Sequence, residues 1–166
     1  MEQKNILPVE CEVVALLKKK HLKVTFAESC TGGMLAARLV NVSGASEVFD
    51  SAVVTYSNEA KTKLLGVNKG TLEVFGAVSS QTAEEMAIGA SHRLEADVAV
   101  SVTGIAGPGG GTDKKPVGLV YMACNVLGNV TVKECHFTGE RFEVRTAAVE
   151  AALQLIKECL EQRFSS

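Results

Sequence analysis

Three short segments of the sequence carry side chains that could perform chemistry, at residues 28–33, 55–61 and 103–108. Each one directly follows a stretch that we predict to be a β-strand. In open α/β sheets, ligands bind beyond the carboxyl ends of the strands. If the three strands are parallel neighbours, the segments meet in one pocket.

The first segment contains Ser29, which precedes Gly32 and Gly33 at a predicted strand-to-helix turn. There a hydroxyl could act as a nucleophile, while amides of the next turn and the helix dipole stabilise an oxyanion. The G-x-S-x-G pattern of a nucleophile elbow is absent. A serine before a helix is also a common N-cap, and spacing alone favours that interpretation.

A nucleophilic serine needs a base, and the histidines offer none. His21, His92 and His136 do not follow a strand that leads to the expected pocket, so a Ser-His-Asp triad is not predicted. Lys61 lies on a short predicted helix just after a strand, and desolvation could lower its pKa. Lys63 competes for this role, and a solvated surface position is the usual fate of either lysine.

The third segment does not match a phosphate-binding G-x-x-x-x-G-K-[ST] or G-x-G-x-x-G motif. We favour Thr103 and Gly104, which end a predicted strand, as pocket residues, and we interpret residues 109–113 as a surface loop. The five cysteines form no C-x-x-C pair, so neither a disulfide framework nor a metal site is predicted. Cys30, beside Ser29, is an alternative nucleophile. If both residues lie on the first helical turn, only one of them faces the substrate.

The elements that position these residues alternate along the chain. Apolar periodicity predicts a strand before each of the three segments, a hairpin over 117–137, and helices between the strands. The helices are predicted over 8–20, after the 27–33 segment with Leu35, Ala36, Leu39 and Val40, over 59–65 after a Ser57 or Asn58 cap, from Ser79 or Ser80 onward, and over 140–163. We predict a single domain over 1–166 with a three-layer α/β/α sandwich and a mixed sheet.

Composition excludes several classes of function. The chain has 166 residues, 46% of them hydrophobic, and a net charge of -2, with no basic stripe that would bind nucleic acid. No apolar run approaches membrane-spanning length. The start of the chain, MEQKN, lacks the pattern of a secretory signal, so we expect a cytoplasmic protein.

Taken together, the segments resemble the C-terminal domain of the competence/damage-inducible protein CinA, a family that includes stand-alone nicotinamide-nucleotide amidases. The resemblance covers nearly the whole chain in the right order. It is carried by AESCTGG (27–33), VTYSNEAK (54–61), GAVS (76–79), SVTGIAGP (101–108), KPVG (115–118) and the segment from FTG (137–139) through Arg141 to Arg145.

This resemblance implies hydrolysis of the amide of nicotinamide mononucleotide to nicotinate mononucleotide and ammonia, in pyridine nucleotide salvage and NAD biosynthesis, without a metal or cofactor. It implies Ser29 as nucleophile, Lys61 as base and Tyr56 as a helper in proton transfer. It thereby overrides the N-cap interpretation of Ser29. Substrate binding is expected from residues that follow two of the strands and from the last helix: Cys30, Thr31, Gly32, Gly33, Thr103, Gly104 and Arg145.

We expect Arg145, near the amino end of the last helix, to hold the substrate phosphate with a bidentate fork. Arg141 competes for this role, and pairing of either arginine with Glu140 or Glu143 is the alternative. A non-catalytic nucleotide-binding or regulatory module remains a second functional hypothesis, and the intact set of Ser29, Tyr56 and Lys61 argues against it. The predicted partners are the nucleotide and further copies of the chain as a homo-oligomer, with no nucleic acid or membrane.

Overall fold

The computed structural model describes residues 7–165. Residues 1–6 and 166 lie outside that range. The two ends of the predicted 1–166 domain, and the MEQKN segment used to judge the secretory signal, are therefore outside the described residues. Among the residues described, every helix is too short or too polar to cross a lipid bilayer.

The centre of the fold is a five-stranded mixed sheet. Its strands, in chain order, are β1 (Val24–Glu28), β2 (Phe49–Val54), β3 (Val98–Gly104), β4 (Leu119–Val126) and β5 (Asn129–His136). The order across the sheet is β2-β1-β3-β4-β5. Strand β1 is parallel to both β2 and β3, whereas β4 is antiparallel to β3 and β5. The predicted mixed sheet, with a hairpin at its end, is confirmed.

Helices cover both faces of the sheet. They are α1 (Val9–Lys20), α2 (Met34–Val40), α3 (Asn58–Leu65), α4 (Lys69–Phe75), α5 (Ser80–Arg93) and α6 (Arg141–Phe164). Helices α1, α2 and α6 pack together on one face, and α5 covers the other face with α3 and α4 beside it. The predicted three-layer α/β/α sandwich is therefore confirmed.

The two central parallel strands are buried on both faces. Every residue of β1 is buried, and in β3 all but the last residue are buried. Strands enclosed between helix layers read as continuous apolar runs rather than as alternating ones. The larger core lies between the sheet and α1, α2 and α6. The buried strands β1 and β3 therefore bring the residues that follow them to the same edge of the sheet.

Two elements differ from the sequence prediction. Helix α2 begins at Met34, so Ser29 neither caps it nor lies on its first turn, because Gly32 and Gly33 have φ values of 58° and 100° that a helix cannot contain. Residues 29–33 therefore form a turn, and the N-cap of α2 is Gly33 rather than Ser29. Helix α4, whose seven residues include Gly70, was not predicted.

Candidate active site

The carboxyl ends of β1, β2 and β3 open into one small cavity of about 170 Å³. The polar side chains predicted for the site from three separate segments meet there, as the parallel order β2-β1-β3 requires. The lining residues are Ser29, Cys30, Tyr56, Lys61, Ala77, Val78, Thr103, Gly104, Ala106 and Arg141.

Ser29 and Lys61 form a hydrogen-bonded pair inside this cavity. Lys61 Nζ lies 2.9 Å from Ser29 Oγ and 2.7 Å from the carbonyl oxygen of Thr55. Ser29 is held in turn by its own amide, which donates to the carbonyl of Val102 at 2.9 Å. Lys61 is 1% exposed and Ser29 is 8% exposed. The serine hydroxyl therefore has a potential base within hydrogen-bond reach, shielded from bulk water.

Burial changes the acidity of Lys61. Removal from water disfavours the charged ammonium and lowers the pKa of Lys61 from 10.5 to about 8. About a tenth of the lysine is then neutral at pH 7, enough to accept a proton from serine. Lys63 is exposed and lines a different cavity, beside α3 and α4. Of the two lysines left open by the sequence, only Lys61 reaches Ser29.

Cys30 also lines the cavity. The sequence argument that only one of Ser29 and Cys30 faces the substrate required both on the first helical turn, and this condition is not met because both residues lie in a turn before α2. Burial raises the pKa of the Cys30 thiol to about 11. A thiol that stays protonated at neutral pH is a poor nucleophile, which disfavours a thiol mechanism.

The turn that carries Ser29 is held from two sides by charged side chains. The Glu28 carboxylate, which is completely buried, accepts hydrogen bonds from the amides of Leu35 at 2.8 Å and Ala36 at 3.2 Å. Arg145 reaches the same turn from α6, where Nε donates to the carbonyl of Cys30 at 2.9 Å and Nη2 donates to that of Thr31 at 3.1 Å. Together these four bonds fix the turn between β1 and α2.

Two amides of this turn remain available to a ligand. The amides of Ser29, Gly32 and Met34 are used in backbone hydrogen bonds. Those of Thr31 and Gly33 find no acceptor within the 7–165 range. Such an arrangement could bind an oxyanion formed next to Ser29 Oγ.

Arg145 binds the turn that carries Ser29. Its guanidinium donates to two backbone carbonyls, and it does not line the cavity. The expected free amides at the start of α6 are partly used, because the side chain of the N-cap Glu140 accepts from the N3 amide. The phosphate-binding role of Arg145 stays a prediction, and in this structure two of its N–H groups hold the turn.

Arg141 and Tyr56 form the edge of the cavity. Arg141 Nη2 donates to Tyr56 Oη at 2.8 Å, and Nη1 donates to the carbonyl of Gly107 at 2.8 Å. Tyr56 is 62% exposed. Its hydroxyl is bonded to Arg141, whereas Ser29 Oγ is bonded to Lys61. The proton-transfer role of Tyr56 stays a prediction. In this structure its hydroxyl accepts a hydrogen bond from Arg141 and has no hydrogen bond to Ser29 or Lys61.

The structure explains why a threonine stands at position 103 and a glycine at position 104. Thr103 donates its hydroxyl to the carbonyl of Ala77 at 2.8 Å and so holds the segment before α5 against the cavity. A Cβ at Gly104 would lie 2.6 Å from the Val120 side chain and 2.8 Å from the Leu119 carbonyl, so only glycine fits there. Thr31 is buried in the turn, and its hydroxyl has no partner among the residues described.

None of the three histidines lines the cavity, as the sequence predicted. Within residues 7–165, no three His, Cys, Asp or Glu side chains are grouped so that they could hold a metal ion. Sequence reasoning assigned no role to Glu28, although it lies in the first segment, and Ala77 and Val78 appeared only as part of the GAVS motif. The Ser79 cap, which was predicted, marks the place where that motif enters α5.

Comparison with known proteins gives one consistent result. A family model described as the CinA C-terminal domain matches residues 7–160. A "CinA-like protein" of Kosmotoga olearia is 50% identical over 148 residues, which is 89% of this chain and 36% of that protein. A relative from Caldicellulosiruptor bescii is 53% identical over 87% of this chain and 35% of its own length. The chain thus spans about a third of these curated relatives.

Two solved structures have the same fold as this chain. The competence/damage inducible protein CihA of Agrobacterium tumefaciens has a TM-score of 0.89 and 46% identity, over 92% of this chain and 93% of that one. A competence or damage-inducible protein from Enterobacter asburiae has a TM-score of 0.89 and 36% identity, over 92% and 96% of the two chains.

Proposed function

The chain belongs to the CinA C-terminal domain family, and on this premise we propose that it is an amidohydrolase acting on nicotinamide mononucleotide. The products are nicotinate mononucleotide and ammonia, and the reaction belongs to pyridine nucleotide salvage in the cytoplasm. Ser29 is the nucleophile and Lys61 the base. The observation that carries the proposal is the 2.9 Å hydrogen bond between the buried Lys61 Nζ and Ser29 Oγ in the cavity at the strand ends.

In the first half of the reaction, neutral Lys61 takes the hydroxyl proton as Ser29 Oγ attacks the carboxamide carbon. The amides of the turn that follows Ser29 stabilise the negative oxygen of the tetrahedral intermediate. The ammonium of Lys61 then gives its proton to the leaving amine, and the C–N bond breaks to release ammonia. The substrate acyl group is left as an ester on Ser29.

In the second half, water replaces ammonia. Lys61 is neutral again and accepts a proton from the water that attacks the ester carbon. Collapse of the second intermediate breaks the bond to Ser29 Oγ and returns the proton to the serine. The low pKa of Lys61, caused by burial, supports both steps because the same amine must gain and lose a proton in each half.

The test is ammonia release by the purified protein from nicotinamide mononucleotide, nicotinamide riboside and nicotinamide. The proposal expects ammonia and nicotinate mononucleotide in equal amounts. Lys61→Ala is expected to lose nearly all activity, while Lys63→Ala, which changes an exposed lysine on the same helix, keeps it. A wild-type protein that binds the nucleotide without releasing ammonia would instead support the non-catalytic module.

A further inference from the structure

The cavity around Ser29 is too small for a whole nucleotide. Its volume is about 170 Å³, whereas drug-sized ligands occupy pockets of about 300–1,000 Å³. The amide must reach Ser29 Oγ, so the amide-bearing ring is the part that enters. The sugar and phosphate then lie outside, beyond the rim formed by Tyr56 and Arg141.

Two cationic side chains line the cavity, Lys61 and Arg141. Lys61 is buried and bonded to Ser29 and Thr55, so its amine is engaged with the nucleophile and not with the rest of the substrate. Arg141 is exposed at the rim, and its hydrogen bonds to Tyr56 Oη and the Gly107 carbonyl use two of five N–H donors. Three donors therefore remain for a ligand.

No carboxylate competes for Arg141 within the described part of the chain. The arginine ion pair found there joins Arg38 to Glu10 and Glu150, far along the sequence from the rim. Glu143, one of the predicted partners, instead accepts from the amide of Glu140 at 2.7 Å in the capping box. Arg141 is thus in no ion pair among residues 7–165, and its orientation is fixed by two neutral partners.

We propose that Arg141, oriented by Tyr56 and Gly107, is the specificity-determining residue that binds the phosphate of the substrate at the rim of the Ser29 cavity. This inference rests on the proposed nucleotide substrate. A guanidinium held by two bonds loses little freedom when it binds an anion, and its remaining N–H groups suit phosphate oxygens. Arg145, one helical turn away, also uses two of its N–H groups, but it holds the nucleophile turn and, unlike Arg141, does not line the cavity.

The experiment measures binding in a protein that cannot turn over. Calorimetric titration of Ser29→Ala with nicotinamide mononucleotide and with nicotinamide riboside gives the contribution of the phosphate. Adding Arg141→Ala is expected to weaken binding of the mononucleotide by about 10- to 100-fold and to change that of the riboside by less than about 2-fold. Arg163→Ala, at the exposed far end of α6, is the matched control and should change neither.

The outcomes separate this inference from the proposed function. Equal losses on both ligands, or no loss on the mononucleotide, would overturn the role of Arg141. If Arg141→Ala weakens the mononucleotide alone while the wild-type protein releases no ammonia, the phosphate site stands and the amidase proposal fails. Arg141→Lys keeps the charge without the planar fork, so we expect it to restore only part of the lost affinity.

Discussion

Ser29 has as its partner an amine whose charge can change near neutral pH. The 2.9 Å contact puts Lys61 Nζ within reach of the hydroxyl proton, and the lack of solvent around the amine lowers its pKa to about 8. A lysine on the surface would not have this lowered pKa, because an exposed ammonium keeps its proton until much higher pH.

The rate of ammonia release is expected to rise with pH. The base must be neutral, and Lys61 loses its proton as the pH passes through about 8, so kcat/KM should increase about tenfold per unit below that value and level off above it. Measurement from pH 6 to pH 9.5 would show the midpoint. A profile that is flat across this range would argue against Lys61 as the base.

Separate alanine substitutions of the two neighbouring nucleophile candidates, Ser29 and Cys30, give a second prediction. Ser29→Ala should lower kcat by a factor of about 1,000 or more, because no other group in the cavity can form the acyl-enzyme. Cys30→Ala should retain most activity, since burial keeps that thiol protonated. Both variants should unfold at temperatures close to the wild type, and an active Ser29→Ala protein would assign the chemistry to another residue.

At the scale of elements, the turn between β1 and α2 is shaped from outside by its neighbours. Glu28 binds the first amides of α2, and Arg145 of α6 binds the carbonyls of Cys30 and Thr31. A short helix that follows two glycines would otherwise leave this segment free to adopt several conformations. Contacts between three elements therefore determine where the Ser29 hydroxyl and the adjacent amides point.

Arg145→Met is expected to reduce kcat by about 10-fold or more on nicotinamide mononucleotide and by the same factor on nicotinamide riboside. The two lost hydrogen bonds act on the turn and not on the phosphate, so the substrate's charge should not matter. A parallel measurement of both substrates checks this. A loss confined to the mononucleotide would return the phosphate to Arg145, contrary to the geometry.

Much of this architecture could be predicted from the sequence, because each strand before the site has a clear apolar run and Ser57 and Ser79 are strong caps that do cap α3 and α5. The turn at Ser29 could not, since its geometry depends on Glu28 and on Arg145 from a distant helix. The sequence also could not show which carbonyl each arginine binds. Packing of distant segments brings the Gly107 carbonyl to Arg141 and the Cys30 carbonyl to Arg145.

At the scale of the whole molecule, the strand order explains why so small a domain can hold a buried site. The parallel strands β1, β2 and β3 end at one edge of the sheet, and α6 closes that edge from one layer while the segment before α5 closes it from the other. The antiparallel pair β4 and β5 extends the sheet away from the chemistry. The β4–β5 hairpin therefore lies to one side of the strand ends that form the candidate site.

The burial of Lys61 also links the proposed chemistry to the thermodynamics of folding. Its pKa is about 8 in the folded protein and about 10.5 when the chain is unfolded, so between these values the unfolded state holds one proton more. The free energy of unfolding should therefore gain about 3 kcal/mol from this group as the pH rises through that window. Denaturant titrations at pH 7.5 and 9.5 should show about 2 kcal/mol of this gain in the wild type and none of it in Lys61→Met, while an equal pH dependence in both would mean that the lysine is not desolvated.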